Sequence, residues 1–267
     1  MLTELQKYYQ QQGICAVGFR CPNQGRCKEV LADFVTAREA FVGSEYEKGT
    51  LPRILFVSLD AESEKPGRAP ALRTLAAMRD WEEGQCDADA LNKGRHWYKT
   101  HKLAFDILGP IARERVGLSI SFRDIHRYFA HTNSAKCKDA LAGSGQGPDL
   151  VFANCRRFIP GEVQLLLPDV LIGQGVKARE AIGDAFPIAR PRVSHPRNDR
   201  YFVDVVTIAH RPVLRMCLTH PGGRNAHRAE MAEAYDWYVR TALSFLREQA
   251  PEAATAKGPR LVRRPAG

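Results

Sequence analysis

The sequence predicts an α/β fold: three α/β/α layers around a central, mostly parallel sheet of four to five strands. Short continuous apolar runs, such as Arg53-Ile-Leu-Phe-Val-Ser-Leu59 and Asp169-Val-Leu-Ile-Gly173, have the pattern of strands buried on both faces, because half-exposed strands alternate. Longer stretches with helical spacing separate them, and strands that alternate with helices pack as layers on a parallel sheet. The chain has 267 residues, 44% of them hydrophobic, enough for one ordinary domain. Residues 1–250 are read as that domain. Residues 251–267, rich in Ala, Pro, Lys and Arg without periodicity, are read as a disordered basic tail.

In chain order, Leu2–Gln12 reads as a short polar helix that leads into Cys15-Ala-Val-Gly-Phe-Arg-Cys21-Pro-Asn-Gln-Gly-Arg-Cys27, a loop whose cysteines recur with five residues between them. A second helix is expected over residues 29–42. The run 53–59, bounded by Pro52 and Asp60, is the first firm strand. A polar loop over 62–70 follows, then helical stretches over 71–81 and 96–115, the second open to a break at Gly109-Pro110. Tyr128-Phe-Ala-His-Thr132 is the second strand. Helical spacing over 155–167 leads into a strand at 169–173 and a helix over 176–182. Residues 201–209 and 212–219 are two further strands, and 226–247 a long closing helix. No internal repeat or heptad pattern is present.

Charge and composition bound the function. The longest apolar run is interrupted by Pro168 and Asp169 and falls short of the roughly 20 residues a membrane span needs. The N-terminus carries no basic segment followed by an apolar core and a small-residue cleavage site, so a cytoplasmic location is expected. Seven cysteines in a reducing compartment stay free or bind metal rather than form a disulfide framework. With 39 Lys plus Arg against 30 Asp plus Glu, the formal charge is +9, which suits a polyanionic partner.

Reactive groups in α/β sheets gather at the carboxyl ends of the strands. Here Asp60 follows the first strand, Asn133 the second and His220 the last. A carboxylate can orient water or stabilise a cation, an amide can read a ring's donor and acceptor edge, and an imidazole can stabilise an oxyanion. No phosphate-binding Gly-x-x-x-x-Gly-Lys-Ser/Thr or Gly-x-Gly-x-x-Gly is present, so no nucleotide cofactor is expected, and Gly173-Gln-Gly175 reads as a tight turn. The absence of Gly-x-Ser-x-Gly disfavours an α/β hydrolase. Cys217, inside an apolar strand, reads as a core residue. For Cys15, Cys21, Cys27, Cys137 and Cys155 the spacings match no zinc motif, which leaves buried thiols and a metal site both open.

Taken in order, these segments resemble the uracil-DNA glycosylase superfamily, most closely its iron-sulfur-containing branches. Residues 53–62, ending Ser58-Leu-Asp60-Ala-Glu62, resemble the family's first strand and the active-site loop after it. Thr132-Asn133-Ser-Ala-Lys136-Cys137 resembles the Asn-x-x-Lys-Cys segment, in which the Asn recognises the base and the Cys ligates the cluster. Cys155-Arg156 with Leu166-Leu-Pro168-Asp-Val-Leu-Ile-Gly173 resembles the next cluster cysteine, its helix and the following strand. Thr219-His220-Pro221 resembles the His-Pro motif opening the loop that enters the DNA minor groove. The likeness runs from about Cys15 to Tyr238.

The resemblance implies a monomeric, DNA-binding glycosylase carrying a 4Fe-4S cluster on Cys137, Cys155 and two of Cys15, Cys21 and Cys27. Asp60 and His220 would be catalytic. Asn133, Glu62, Trp97 and Tyr98 would contact the base, and Arg224, His227, Arg228 and Lys136 the DNA. The chain departs from the family in the base pocket. Asp60 stands where classical uracil enzymes place their water-activating Asp, Glu62 replaces their wall Tyr, and the Gly-Arg-Pro-Phe segment is not recognisable, so Trp97 or Tyr98 would stack on the base. The implied activity is base excision from DNA, on uracil or a modified pyrimidine, in repair. The alternatives are excision of a hypermodified phage cytosine in antiviral defence, or an inactive nucleic-acid-binding module of the same fold.

Overall fold

A computed structural model of the chain describes residues 1–59, 72–90, 96–139, 147–221 and 228–249. Helix α1 (Leu2–Gln12) ends at Gly13, whose φ of 66° gives the left-handed cap that glycine adopts without a Cβ clash. Helix α2 (Gln24–Val30) is followed by the short strands β1 (Phe34–Val35) and β2 (Phe41–Val42). A continuous helix over 29–42 is therefore a correction. The carboxylate of Asp139 accepts the backbone N–H groups of Ala32 and Asp33 at 2.9 and 3.1 Å, and the Tyr9 hydroxyl accepts that of Ala40 at 3.1 Å. Tertiary pairing thus overrides the local helical pattern.

After α3 (Ser44–Lys48) comes β3 (Ile54–Ser58), then α4 (Leu75–Ala90) and α5 (His96–Val116). Helix α4 starts later than expected: the Thr74 hydroxyl accepts the N–H of Ala77 at 3.2 Å, an N-cap bond. Helix α5 runs unbroken through Gly109-Pro110, and Ile107, Leu108, Ile111 and Ala112 are fully buried along it. Next come β4 (Phe129–Asn133), β5 (Lys138–Asp139), α6 (Asp149–Cys155) and α7 (Ile159–Leu166), so the helical spacing expected over 155–167 is met by a 3-10 turn at Arg156–Phe158 and by α7, with α6 ending at the first of those residues. The chain closes with β6 (Val170–Gln174), α8 (Val176–Ile182), β7 (Ile188–His195), β8 (Asn198–Ile208), β9 (Arg211–Leu218) and α9 (Arg228–Glu248). Residues 251–267 lie outside the described residues.

The main sheet has seven strands in the order β2-β4-β3-β6-β9-β8-β7, rather than four to five. Its four central strands, β4, β3, β6 and β9, are parallel to one another, and β2, β8 and β7 join antiparallel at the edges. β1 pairs separately with β5. Alternation on β3 divides the core. Leu55 and Val57 face a cluster with Leu5 and Tyr9 of α1, Val163 and Leu166 of α7 and Ala178 of α8. Ile54 and Phe56 face a second cluster with Leu103 and Ile107 of α5 and Ala234 and Tyr238 of α9. Helices thus cover both faces of the sheet, and the parallel strands deliver their carboxyl ends to one edge.

Candidate active site

At that edge Ser58 pairs with Asn133 and Gln174 with Leu218, so β3, β4, β6 and β9 end side by side. Thr219, His220 and Pro221 continue from β9, and α5 begins over the same edge with His96. The His131 Nε2 lies 2.8 Å from Ser58 Oγ, Ser58 Oγ donates to Gln174 Oε1 at 2.6 Å, and His96 Nε2 lies 3.0 Å from the same oxygen. Gln174 Nε2 donates to Thr100 Oγ1 at 3.1 Å. One proton arrangement satisfies the set: both histidines carry hydrogen on Nε2, His131 donates to Ser58, and Ser58 and His96 donate to Gln174. The His220 ring stacks on His96, with centroids 5.0 Å apart and planes 16° from parallel.

Burial keeps these imidazoles neutral. Desolvation, reinforced by the positive charge His220 would carry, lowers His96 to about 3. Desolvation and the nearby Lys99 ammonium lower His220 to about 4. His131 is pushed well below the usual histidine range by burial, with Arg38 second, and burial lowers His101 to about 4. A neutral imidazole can still donate one hydrogen bond to an oxygen that gains negative charge.

Asn133 is 3% exposed, and its Nδ2 has no hydrogen-bond partner among the described residues. Such an orphan donor costs free energy unless something beyond the described residues meets it. The turn after β4 is clipped to the exit of β3: Ser134 N donates to Ser58 O at 2.8 Å, Ala135 N to Leu59 O at 3.3 Å and Ser134 Oγ to Leu59 O at 3.1 Å. Gly175 sits at φ 107°, where a Cβ would lie 3.1 Å from Leu59 Cδ2 and 3.3 Å from His220 Cβ. The tight turn read from the sequence is a correction: Gly173 and Gln174 are the last residues of β6, paired with Cys217 and Leu218, and only Gly175 makes the close approach into α8.

Of the residues the sequence singled out, Asn133 and His220 stand at this edge. Asp60, Glu62, Arg224 and His227 lie outside the described residues, as does the side chain of Arg228, which opens α9. Trp97 borders the site, but its ring makes T-shaped contacts with Phe41, Phe129 and His131, and its Nε1 donates to Glu82 at 2.6 Å. Tyr98 packs against Phe122, with centroids 5.4 Å apart.

Lys136 is a correction. Expected on the DNA face, it is 2% exposed; its ammonium lies 2.5 Å from the Glu162 carboxylate and donates to Thr132 Oγ1 at 2.7 Å. A cation so enclosed cannot reach a phosphate. Ser58, His96, Thr100, His131 and Gln174 were not singled out for the site. Ser58 and Gln174 end strands and His96 opens a helix on the edge that Asn133 and His220 mark, which is their only sequence signal; His131 lies within β4 and Thr100 within the first turns of α5, and neither carries one.

The cysteines form a buried nest on the α1/α7 face. Desolvation pushes the Cys137 thiol far up, with contributions from Cys155, Cys27 and Cys21, and raises Cys155 to about 11, with Cys27 and Cys21 again among the causes. Cys155 Sγ accepts the Lys136 N–H at 3.3 Å, and Cys27 Sγ accepts Asn154 Nδ2 at 3.4 Å. Cys15 has different neighbours: burial and then Glu39 raise it, and Gln6 donates to its sulfur at 3.5 Å. Cys217 is buried in β9, its thiol pushed up to about 12 by desolvation. Among the described residues, no three His, Cys, Asp or Glu side chains converge as a single ion would require, and no helix is long and apolar enough to cross a membrane. No model of a protein family matches the chain, and no curated protein matches it.

Proposed function

We propose that this edge excises a base from DNA by hydrolysis of the N-glycosidic bond. The observation that carries the reading is that one carboxyl edge of four parallel strands carries both a buried amide, Asn133, whose Nδ2 has no partner among the described residues, and a neutral imidazole, His220. A base inside stacked duplex is out of reach, so the nucleotide must be flipped out to this edge, at a cost of a few kcal/mol. Asn133 then reads the edge of a uracil-like or modified pyrimidine. His220 donates to the base oxygen that becomes anionic as the bond breaks, an interaction that strengthens only in the transition state. The stack on His96 holds the His220 ring in place. Asp60, next after the clipped Leu59, orients water and supports the oxocarbenium-like sugar. The net charge of +9 suits the polyanionic substrate.

The same reading assigns Cys21, Cys27, Cys137 and Cys155 to a 4Fe-4S cluster. Four buried sulfurs in one core cluster fit such a group, and two of them already accept N–H donors of the kind that stabilise ligating thiolates. A multi-iron cluster also accepts sulfurs spaced too widely for one ion. When bound, it would tie the segment before α2 to the loops after β4 and α6, a structural role.

The test is incubation of the full-length protein with DNAs carrying uracil, hypoxanthine, thymine mismatches or phage-type modified cytosines, followed by scoring of alkali-labile sites. Abasic sites at one of these bases are expected. A folded protein that binds all of these DNAs and cuts none would replace the enzyme reading with that of a binding module.

A further inference from the structure

The β7–β8 hairpin lies outside every residue so far given a function, and its turn is at the site's edge. β8 runs antiparallel to β9, with Phe202 opposite Cys217, so the start of β8 and the end of β7 reach the edge where β9 delivers His220. The hairpin end packs on the first half of α9: the His195 ring meets Trp237 at 5.4 Å, and Arg197 pairs with Glu233.

Six consecutive residues of β7, 188–193, are exposed, although they alternate between the two faces of the sheet. Pro191 and the register shifts against β8 make the strand's free edge a poor template for another strand, since a proline lacks the donor and bulges break the ladder. Side chains, not backbone, are what this arm offers. The Arg192 guanidinium lies over the Phe202 ring, 3.7 Å from its centroid, and that of Arg179 from α8 lies 6.0 Å from the same centroid. Arg192 also donates to the Asp199 carbonyl at 2.5 Å. Together with exposed Arg200, these arginines have no carboxylate partner among the described residues. An aromatic ring that holds guanidinium groups without neutralising them leaves their charge available to an external anion.

We propose that Arg179, Arg192 and Arg200 form a second docking platform, which grips the phosphate backbone of the nucleic acid whose base occupies the candidate site. The inference rests on the proposed function and extends it, because it places duplex on the α8 side of the edge that carries Asn133 and His220.

The experiment measures DNA affinity at several salt concentrations for the wild-type protein, the Arg179→Ala/Arg192→Ala/Arg200→Ala variant, the corresponding triple Lys variant, and Arg113→Ala as a control on exposed α5 surface. Each lost phosphate contact lowers the salt slope by about 1. The triple Ala variant is expected to lose a slope of about 2–3 and about tenfold or more in affinity, while the triple Lys variant and Arg113→Ala keep the wild-type slope. Thermal unfolding establishes that the variants are folded; if the Ala variant is not, a drop in slope in the charge-reversed single variant Arg200→Glu decides. Unchanged affinity and slope in a folded Ala variant would overturn the platform and leave the proposed function standing. A wild-type protein without salt-dependent DNA binding would overturn the proposed function itself.

Discussion

The polar edge and the cysteine nest are both buried, yet they solve burial in opposite ways. At the edge, Ser58, His96, His131, Gln174 and Thr100 satisfy one another with neutral groups, and the Nδ2 of Asn133 is left without a partner among the described residues. In the nest, one ion pair, Lys136 with Glu162, sits at 1% and 0% side-chain exposure beside thiols that desolvation holds protonated. The edge is preorganised as it stands. The nest holds protonated thiols until something binds its sulfurs, and the ion pair buried beside them is costly to disturb. Chemistry therefore belongs to the edge and anchoring to the nest.

The sharpest way to break that division is through the sulfurs. Anaerobically purified protein should be brown, and Cys137→Ser or Cys155→Ser should abolish the visible charge-transfer absorption, while Cys15→Ser, Cys86→Ser and Cys217→Ser retain it. Colour lost with Cys15 and kept without Cys21 would reassign the ligands; a colourless protein containing zinc or no metal would remove the cluster.

Lys136→Met should destabilise the protein by about 3–5 kcal/mol in chemical denaturation, because it strands the Glu162 carboxylate, and Glu162→Leu added to it should recover most of the loss. No recovery would mean that Lys136 acts through another partner. A smaller effect is expected at Gly175. Alanine there should cost about 1–3 kcal/mol for its backbone conformation, and it should also slow cleavage by crowding His220. Gly18→Ala, at φ 69° with open space around it, should be strained without slowing cleavage. Equal cleavage by the two variants would separate Gly175 from the site.

Acid should loosen the edge. His96, His101 and His220 titrate at about 3, 4 and 4 in the folded protein against about 6.5 unfolded. The unfolded chain therefore binds more protons below pH 6.5, and stability falls as pH drops from 6.5 towards 4 while staying level above. Thermal unfolding midpoints between pH 5 and 8 check this. A midpoint that holds constant below 6.5 would mean the imidazoles are not buried neutral.

The parallel core was legible because Ile54–Ser58 and Val170–Gln174 are buried on both faces, and burial leaves its mark as an uninterrupted apolar run. The edge strands were not. Phe41–Val42 has only two residues, and Ile188–His195 is exposed, arginine-rich and contains Pro191, so neither carries a burial pattern. Asn133 and His220 were legible from their places after strands. The His96, His131 and Gln174 network was not, because its members come from separate segments and meet only through the parallel register. Lys136 misled for the same reason: a lysine beside a site suggests phosphate, and only the fold reveals Glu162 beneath it.

The central claim is that the edge acts on the transition state, and single-turnover base release measured beside DNA affinity for His220→Ala and Asp60→Asn tests it most directly. Both variants should fold and bind DNA as the wild type does, yet release the base about two to three orders of magnitude more slowly. Wild-type release by folded His220→Ala protein, or affinity and rate falling in equal proportion, would contradict the account.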